Sequence, residues 1–223
     1  AKQGFFDAMS LLDEYDEKTA RKVYQKEEEV DHYEDELGSY LVKLSSKNLS
    51  QQDAETLSMI LHSISDFERI SDHAMNIEES ARKIKEKEIV FSDKAKEELK
   101  VFEKIIQDIL NLSVTVFLEE DSEQAREIEP MEEVVDRLTK KVKKRHIKRL
   151  EKGKCTMDAG LVLNDLVTNF ERVADHCSNI GVCVIQSEEE AFDTHEYLDT
   201  LDKGKDSRFN ARYEVYKQKY MLP

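Results

Sequence analysis

Two eleven-residue segments of this chain carry the same pattern of acidic, basic and histidine side chains. FERISDHAMNI spans residues 67–77, and FERVADHCSNI at 170–180 repeats it 103 positions later. Each segment holds a glutamate and an aspartate four residues apart, and on a helix such side chains lie one above the other. Two carboxylates along the edge of a buried helical stripe face a groove between helices, where helical bundles bind metal ions. The paired acids are Glu68 and Asp72 in the first segment and Glu171 and Asp175 in the second.

The same spacing occurs on the helix that is predicted to precede each segment. Glu27 and Asp31 are four residues apart, and so are Glu132 and Asp136. If the two helices of each unit lie side by side, their four carboxylates converge. Carboxylate oxygens suit hard or borderline cations, so the expected cofactor is a divalent or trivalent metal ion: iron, manganese, zinc or magnesium.

The residues that recur beside the acids allow a second interpretation. An arginine follows each glutamate, a histidine follows each aspartate, and an asparagine lies one turn further on. Arginine–carboxylate pairs across helices, with asparagine completing a polar layer, would explain the repeat without a metal ion. The spacing alone favours neither interpretation. The recurring residues are Arg69, His73 and Asn76 in the first segment and Arg172, His176 and Asn179 in the second.

The elements that must position these acids are all helical. The chain of 223 residues has only two prolines and six glycines, and charged, leucine and alanine residues dominate it, which is typical of helical bundles. Ser50 and Ser92 are expected N-caps, and Pro130 is expected to kink the fourth helix or delay its start. The predicted helices span about 16–46, 50–84, 92–119, 122–152 and 155–187, with a sixth that begins near Phe192 or Asp193.

Three correspondences at nearly constant spacing indicate an internal duplication. VDHY at 30–33 matches VDRL at 135–138, the two FER segments match each other, and FSDK matches FDTH further on. We therefore predict an all-α fold of two tandem three-helix bundles, joined near residues 119–123. The predicted units are a lead helix and linker at 1–20, a first bundle at 21–120, a second bundle at 121–202 and a C-terminal tail at 203–223.

Composition argues against several function classes. A formal net charge of −15 opposes nucleic-acid binding because the surface would repel phosphates. The longest apolar run, at 180–185, is too short to span a bilayer. Three cysteines without CxxC spacing (Cys155, Cys177 and Cys183) predict reduced core thiols that take no part in chemistry. The basic run at 140–150 is expected near a helix C-terminus, where cations are favoured, or against the anionic headgroups of a membrane surface.

The two ER(I/V)xDHxxNI segments, each on the second helix of a three-helix unit, resemble the PhoU family over about residues 20–200. The resemblance implies a pair of three-helix bundles with metal-binding E/DxxxD motifs on neighbouring helices. The lead FFDAM and the ending YEVYKQKYMLP look like the cytoplasmic PhoU-like domain of bacterial sodium–phosphate cotransporters. The missing initiator Met fits a piece cut from such a transporter. The implied ligand sets are Glu27, Asp31, Glu68 and Asp72 in one site and Glu132, Asp136, Glu171 and Asp175 in the other.

The resemblance implies a non-enzymatic regulatory role in phosphate transport at the cytoplasmic face of the cell membrane. The main hypothesis is the cytoplasmic domain of a sodium-dependent phosphate cotransporter, which acts on the membrane transporter domain of the same chain. The alternative is a free-standing PhoU-type regulator that acts in trans on an ABC transporter and a sensor kinase. A third hypothesis, a carboxylate-metal hydrolase or oxidase, requires an open coordination site and turnover. We also expect a homodimer.

Overall fold

The computed structural model describes residues 1–188 and 207–223, and its regular structure is helical. Within those residues there is no β-strand, so the predicted all-α class is confirmed. The helices are α1 (Lys2–Ser10), α2 (Glu17–Ser45), α3 (Gln51–Glu86), α4 (Asp93–Glu119), α5 (Ser122–Ala125), α6 (Ile128–Glu151), α7 (Met157–Glu188) and α8 (Ser207–Lys219).

Short polar side chains begin two of the long helices, as the sequence predicts. The Ser50 hydroxyl accepts a hydrogen bond from the Asp53 amide at the start of α3, and Ser92 accepts one from Ala95 at the start of α4. Each bond satisfies an amide that has no partner within its own helix. At the end of α6, Gly153 has a φ of 60°, which a residue without a side chain adopts at little cost. Both predicted N-caps are confirmed.

The fourth predicted helix is divided just before Pro130. The chain forms the single turn α5 from Ser122 and resumes as α6 at Ile128. Pro130 therefore lies in the first turn of α6, where a backbone amide has no partner within the helix and its absence costs little. The late start expected at this proline is confirmed.

The two motif helices pack against each other in the middle of the molecule. They run antiparallel, because His73 of α3 contacts Asn169 of α7 while His176 of α7 contacts Asp66 of α3. α2 packs on α3 and α6 packs on α7, so both expected helix pairs are formed. α1 covers α2 and α3, and α4 lies along α7 and against α6.

A single hydrophobic core joins the two repeats. The rings of Phe5 in α1 and Phe102 in α4 lie with their centroids 6.3 and 6.1 Å from that of Phe170 in α7. All three side chains are fully buried. Because α4 belongs to the first repeat in sequence and packs on helices of the second, the repeats bury their apolar faces together.

The C-terminal segment predicted as a polar tail contains the helix α8, which packs on α6. Arg212 of α8 pairs with Glu127, just before α6, at 2.7 Å, and Tyr220, just after α8, donates a hydrogen bond to Asp108 of α4 at 2.6 Å. The predicted sixth helix start near Phe192 lies outside the described residues. Among the described helices, none combines the length and apolar character that crossing a bilayer requires.

Candidate metal centre

The second repeat gathers carboxylates where α6 and α7 face each other. One carboxylate oxygen from each of Glu132, Asp136 and Asp175 lies within 4.8 Å of the others. Glu171 lies one turn before Asp175 on α7, and its carboxylate is 3.5 Å from the Lys143 amine. The two helices therefore bring together the acids that the spacing pairs, and three of the four come within reach of one cation.

Electrostatics at the second cluster reflect this crowding. Burial raises the pKa of Asp175, and the nearby carboxylates of Asp136 and Glu171 raise it further, while Arg172 lowers it. Lys140 also lies 3.1 Å from Asp136, one turn away on the same helix. Neighbouring lysines thus offset part of the negative charge of this cluster.

In the first repeat, acids of α2 and α3 interact electrostatically across the two helices. Burial raises the pKa of Glu27, followed by the charges of Asp72 and Asp31. Burial likewise raises the pKa of Glu68, and Asp72 raises it further. Glu27 and Glu68 thus both sense the charge of Asp72. Within residues 1–188 and 207–223, however, the second cluster alone has three donor atoms within 4.8 Å.

An additional acid borders the first cluster and was missed by the sequence analysis. Glu34 of α2 accepts a hydrogen bond from Ser65 of α3 at 3.2 Å, and its charge raises the pKa of Glu68. Glu34 is seven residues after Glu27, so it lies on the same helix face two turns on. That spacing was the available signal, but the run of acids around it hid the position.

The arginines of the repeated motif pair within their own helices. Arg69 lies 3.3 Å from Asp72, and Arg172 lies 3.4 Å from Asp175, each three residues away. Both arginine side chains are mostly exposed. The structural interpretation required these arginines to pair across helices, and the ion pairs described for them do not do so.

The motif histidines lie at the α3–α7 interface rather than at the carboxylate clusters. His73 Nδ1 is 2.8 Å from Asn169 Oδ1, and His176 Nδ1 is 2.9 Å from Asp66 Oδ1. Asn179 also donates to Asp66, at 3.0 Å, and the two imidazole rings are 5.6 Å apart. These residues therefore join the repeats to each other.

The partners of the histidines, Asp66 and Asn169, were not identified from the sequence. They stand immediately before the two repeated segments and are themselves 103 positions apart, so extending the match by one residue would have found them. Asn76, the counterpart of Asn179, is exposed.

The three cysteines are free thiols in the described structure. Cys177 and Cys183 are buried, and burial raises their pKa values to about 12 and about 11. Such thiols stay protonated at neutral pH and are poor metal ligands. Cys155 is half-buried. That all three are dispensable for chemistry remains a prediction.

Comparison with protein families gives one match that spans most of the chain. The PhoU domain matches residues 1–81 and 99–184. "Phosphate-specific transport system accessory protein PhoU homolog 1" of Thermotoga maritima is 27% identical over 204 residues, which are 90% of this chain and 85% of that protein. The PhoU homolog of Clostridium acetobutylicum is 20% identical over 182 residues, 81% of this chain and 82% of that protein.

Solved structures share the fold. The crystal structure of PhoU from Pseudomonas aeruginosa superposes with a TM-score of 0.78 over 85% of this chain and 90% of that chain, at 21% identity. The phosphate transport system regulatory protein PhoU from Streptococcus pneumoniae gives 0.76 over 86% and 89%, at 20% identity. The helical architecture described above is therefore that of these structures.

Proposed function

This chain belongs to the PhoU family, and we propose that it is an accessory regulator of a phosphate transport system. Its relatives from Thermotoga maritima and Clostridium acetobutylicum are named as accessory proteins of phosphate-specific transport. An accessory protein modulates a transporter, which supports a regulatory role rather than catalysis.

More specifically, we propose the second hypothesis drawn from the sequence, which is a free-standing PhoU-type regulator that acts on a separate transporter. The match covers 85% and 82% of the two accessory proteins, which supports this hypothesis over the cotransporter domain. The two hypotheses differ in the partner, a transporter in trans or a membrane domain in the same chain. The gene sequence around this segment distinguishes them, because flanking membrane-spanning helices would favour the cotransporter.

We further propose that the regulator binds divalent or trivalent metal ions at its carboxylate clusters. The observation that carries this proposal is the grouping of Glu132, Asp136 and Asp175, whose donor oxygens lie within 4.8 Å of one another. Oxygen donors at this separation suit manganese, iron, magnesium or zinc. Glu171 is the fourth acid of the site, and a bound ion would supply the positive charge that balances all four.

Metal binding would change how firmly the helices are held together. Without a cation, the carboxylates on α6 and α7 repel one another, and the charges of Asp136 and Glu171 add to the effect of burial in raising the pKa of Asp175. A cation bound to acids of both helices replaces that repulsion by attraction and ties α6 to α7. The acids Glu27, Asp31, Glu68 and Asp72 would do the same for α2 and α3. Metal occupancy is thus the proposed signal that the regulator passes to its transporter.

Thermal unfolding of chelator-stripped protein tests the metal sites. At a hundredfold excess over the dissociation constant, each independent site stabilises the folded protein by about 2.7 kcal/mol, so manganese, iron or zinc should raise Tm. The variant Glu68→Gln/Asp72→Asn should lose about half of this gain. Adding Glu171→Gln/Asp175→Asn should abolish it.

A matched control removes two exposed acids at the same spacing on α4, with Asp93→Asn/Glu97→Gln, and should keep the full gain. If stripped wild-type protein melts at the same temperature with and without metal, the metal proposal fails. Phosphate uptake is a separate readout in cells that lack their own accessory protein. If expression of the wild-type chain leaves phosphate uptake in these cells unchanged, the regulatory proposal is refuted.

The basic run at 140–150 is proposed as a surface that meets the cytoplasmic face of the membrane. In the basic run at 140–150, Arg145 and Arg149 pair with the buried Glu98 at 3.1 and 2.8 Å. Other cations of the run are exposed and would meet anionic headgroups: Lys141, Lys144 and Lys148. A homodimer remains a second prediction, which sedimentation of the full chain tests.

A further inference from the structure

An apolar groove lies between α2 and α3, next to the first residues of α1. Its volume is about 380 Å³, and two side chains of its walls, Tyr33 and Leu37, are 60% and 44% exposed. Six apolar residues of the two helices line the groove, and all are at least partly exposed: Val30, Tyr33 and Leu37 of α2 and Ile60, Ile64 and Phe67 of α3. A continuous apolar surface of this kind is suited to packing against a further helix.

The second repeat shows which element covers such a face. The counterparts of the six residues, 105 positions later on α6 and 103 positions later on α7, are all buried: Val135, Leu138, Val142, Leu163, Val167 and Phe170. α4 packs on both helices, and its first half lies over this face, because Glu98 pairs with Arg145 of α6 and Phe102 stacks on Phe170 of α7. The first half of α4 thus covers in the second repeat what the groove leaves exposed in the first.

α1 corresponds to the second half of α4, at the same spacing of 105 residues. Phe5 of α1 and Leu110 of α4 occupy equivalent positions and are both fully buried. An aspartate at equivalent positions then caps the helix that follows, Asp16 for α2 and Asp121 for α5. The first half of α4, residues 93–105, therefore has no counterpart within residues 1–223, since positions 105 residues earlier would precede residue 1.

We propose that the groove receives an amphipathic helix that leads into α1 from its N-terminal side, as the first half of α4 leads into its second half. The occupant is a segment of the same polypeptide that precedes Ala1. Ala1 and Lys2 line the groove, so a helix that continues α1 backwards by about 13 residues runs along it for about 20 Å. Apolar residues three and four apart on one side of this helix would face the groove, with polar residues on the other side.

The groove differs from its counterpart in charge, and this difference specifies the occupant further. In the second repeat, the buried Glu98 of α4 pairs with Arg145 and Arg149 at 3.1 and 2.8 Å. The counterparts of these arginines, 105 positions earlier, are Tyr40 and Leu44. A carboxylate at the position of Glu98 would be buried there without a cation, which is costly. The occupant should therefore carry an uncharged residue at this position.

A helix in the groove also affects the first carboxylate cluster. Val30 and Phe67 line the groove and directly precede Asp31 and Glu68 in the sequence. Packing against both side chains would hold α2 and α3 in one arrangement and thereby fix the separation of these acids. The proposal itself depends on neither metal binding nor a transporter, and its test uses chelator-stripped protein.

The experiment compares residues 1–223 with the longer chain that includes the residues encoded immediately before Ala1 in the gene. Ile64→Cys, in a Cys155→Ser background, places a thiol in the groove. In the shorter chain this thiol should react rapidly with a thiol reagent. In the longer chain the reaction should be about a hundredfold slower, because it then requires local opening of the covering helix.

Val42→Cys is the matched control, since Val42 is 62% exposed on the same helix pair and lies outside the groove. It should react equally fast in both chains. The proposal is overturned if the start codon of the gene directly precedes Ala1. It is also overturned if Ile64→Cys reacts equally fast in both chains, which would leave the groove to a separate partner. Protection that appears in the shorter chain as its concentration rises would assign the groove to a second copy and would equally overturn the proposal.

A second variant tests the same contact without a new thiol. Leu37→Ala removes a side chain that is 44% exposed in residues 1–223, so the Tm of the shorter chain should change little. In the longer chain the same change leaves a cavity under the covering helix, and Tm should fall by about 2–4 °C more. Val42→Ala should have the same effect in both chains, and circular dichroism checks that all variants keep their helical content. Equal falls for Leu37→Ala in the two chains would contradict the proposal.

Discussion

The two carboxylate clusters share a motif but differ in the charges around them. In the second repeat, Lys140 and Lys143 lie 3.1 and 3.5 Å from acids of the cluster. The equivalent positions of the first repeat, 105 residues earlier, are Asp35 and Gly38. The first repeat also has Glu34 near its cluster. Duplication has therefore preserved the candidate ligands and changed their surroundings.

The two clusters therefore differ in how far the charge of their carboxylates is balanced before a cation binds. In the second cluster, lysines offset part of the repulsion, and three donor oxygens lie close together without an ion. In the first cluster, the acids are less closely gathered and carry more uncompensated charge. Because an exposed lysine–carboxylate pair contributes about 0.2–1 kcal/mol, two lysines together account for about 1.4 kcal/mol, and we expect the first cluster to bind a divalent ion about tenfold more tightly.

Removing both lysines should produce the largest effect on this comparison. In Lys140→Met/Lys143→Met the second cluster loses two positive charges, so its metal affinity should rise about tenfold, or about 1.4 kcal/mol. The metal-free form should be less stable than wild type. Calorimetric titration with Mn²⁺, in a background of Glu68→Gln/Asp72→Asn, measures the second site alone. Lys144→Met, an exposed lysine on the same helix, is the control, and equal affinities in all three proteins would refute the comparison.

A half-buried acid outside both clusters, Glu103, is expected to have a somewhat smaller effect, and it contributes to the dependence of stability on pH. Burial, followed by the charge of Asp13, raises the pKa of Glu103 to about 7. The folded protein then binds more protons than the unfolded chain between about pH 4.5 and 7, so stability from this group falls as pH rises and is lost above pH 7. Glu103→Gln should therefore raise the free energy of unfolding by about 1 kcal/mol at pH 8, after allowance for solvent screening.

At pH 4 the Glu103→Gln variant should match wild type, and urea unfolding at both pH values measures the difference. Glu97→Gln, an exposed acid of the same helix, should change neither value. An equal effect of Glu103→Gln at both pH values would contradict the raised pKa. At the clusters, the raised pKa values of Glu68 and Asp175 predict that the free energy of unfolding of the metal-free protein declines as pH rises. Bound metal should remove this decline.

The smallest expected effect comes from giving the first repeat one lysine of the second. Asp35→Lys places a lysine one turn after Asp31, as Lys140 stands after Asp136. An exposed pair of this kind stabilises a helix by about 0.3–0.5 kcal/mol, so the metal-free protein should melt slightly higher. Metal affinity at the first cluster should fall by a factor of about two to five. An unchanged affinity would mean that neighbouring charge does not distinguish the clusters.

Local signals of the sequence predicted the elements well. Ser50 and Ser92 begin helices because their hydroxyls satisfy free amides, and this requires only neighbouring residues. The pairing of acids four apart is also a local property of a helix. Pro130 delayed α6 for the same kind of reason.

Long-range packing explains what the sequence left open. Both clusters have the same spacing, yet only the second has three donor oxygens so close together in the described residues. Side-chain direction at Asp31, which is exposed, depends on how α2 lies on α3. α8 was missed because it packs on α6, and the burial of Phe209 depends on tertiary packing rather than on a strong helical pattern.

The position of α4 affects how the protein is made. On the ribosome, the first repeat is complete when Glu119 has been added, but most of the helices that cover the apolar face of α4 have not yet been made at that time. Phe102 packs on Phe170, which is synthesised later, and at about 5–20 residues per second the wait lasts several seconds. A nascent chain in this state exposes a large apolar surface and is a substrate for chaperones. We therefore expect folding to finish only after most of α7 has left the exit tunnel.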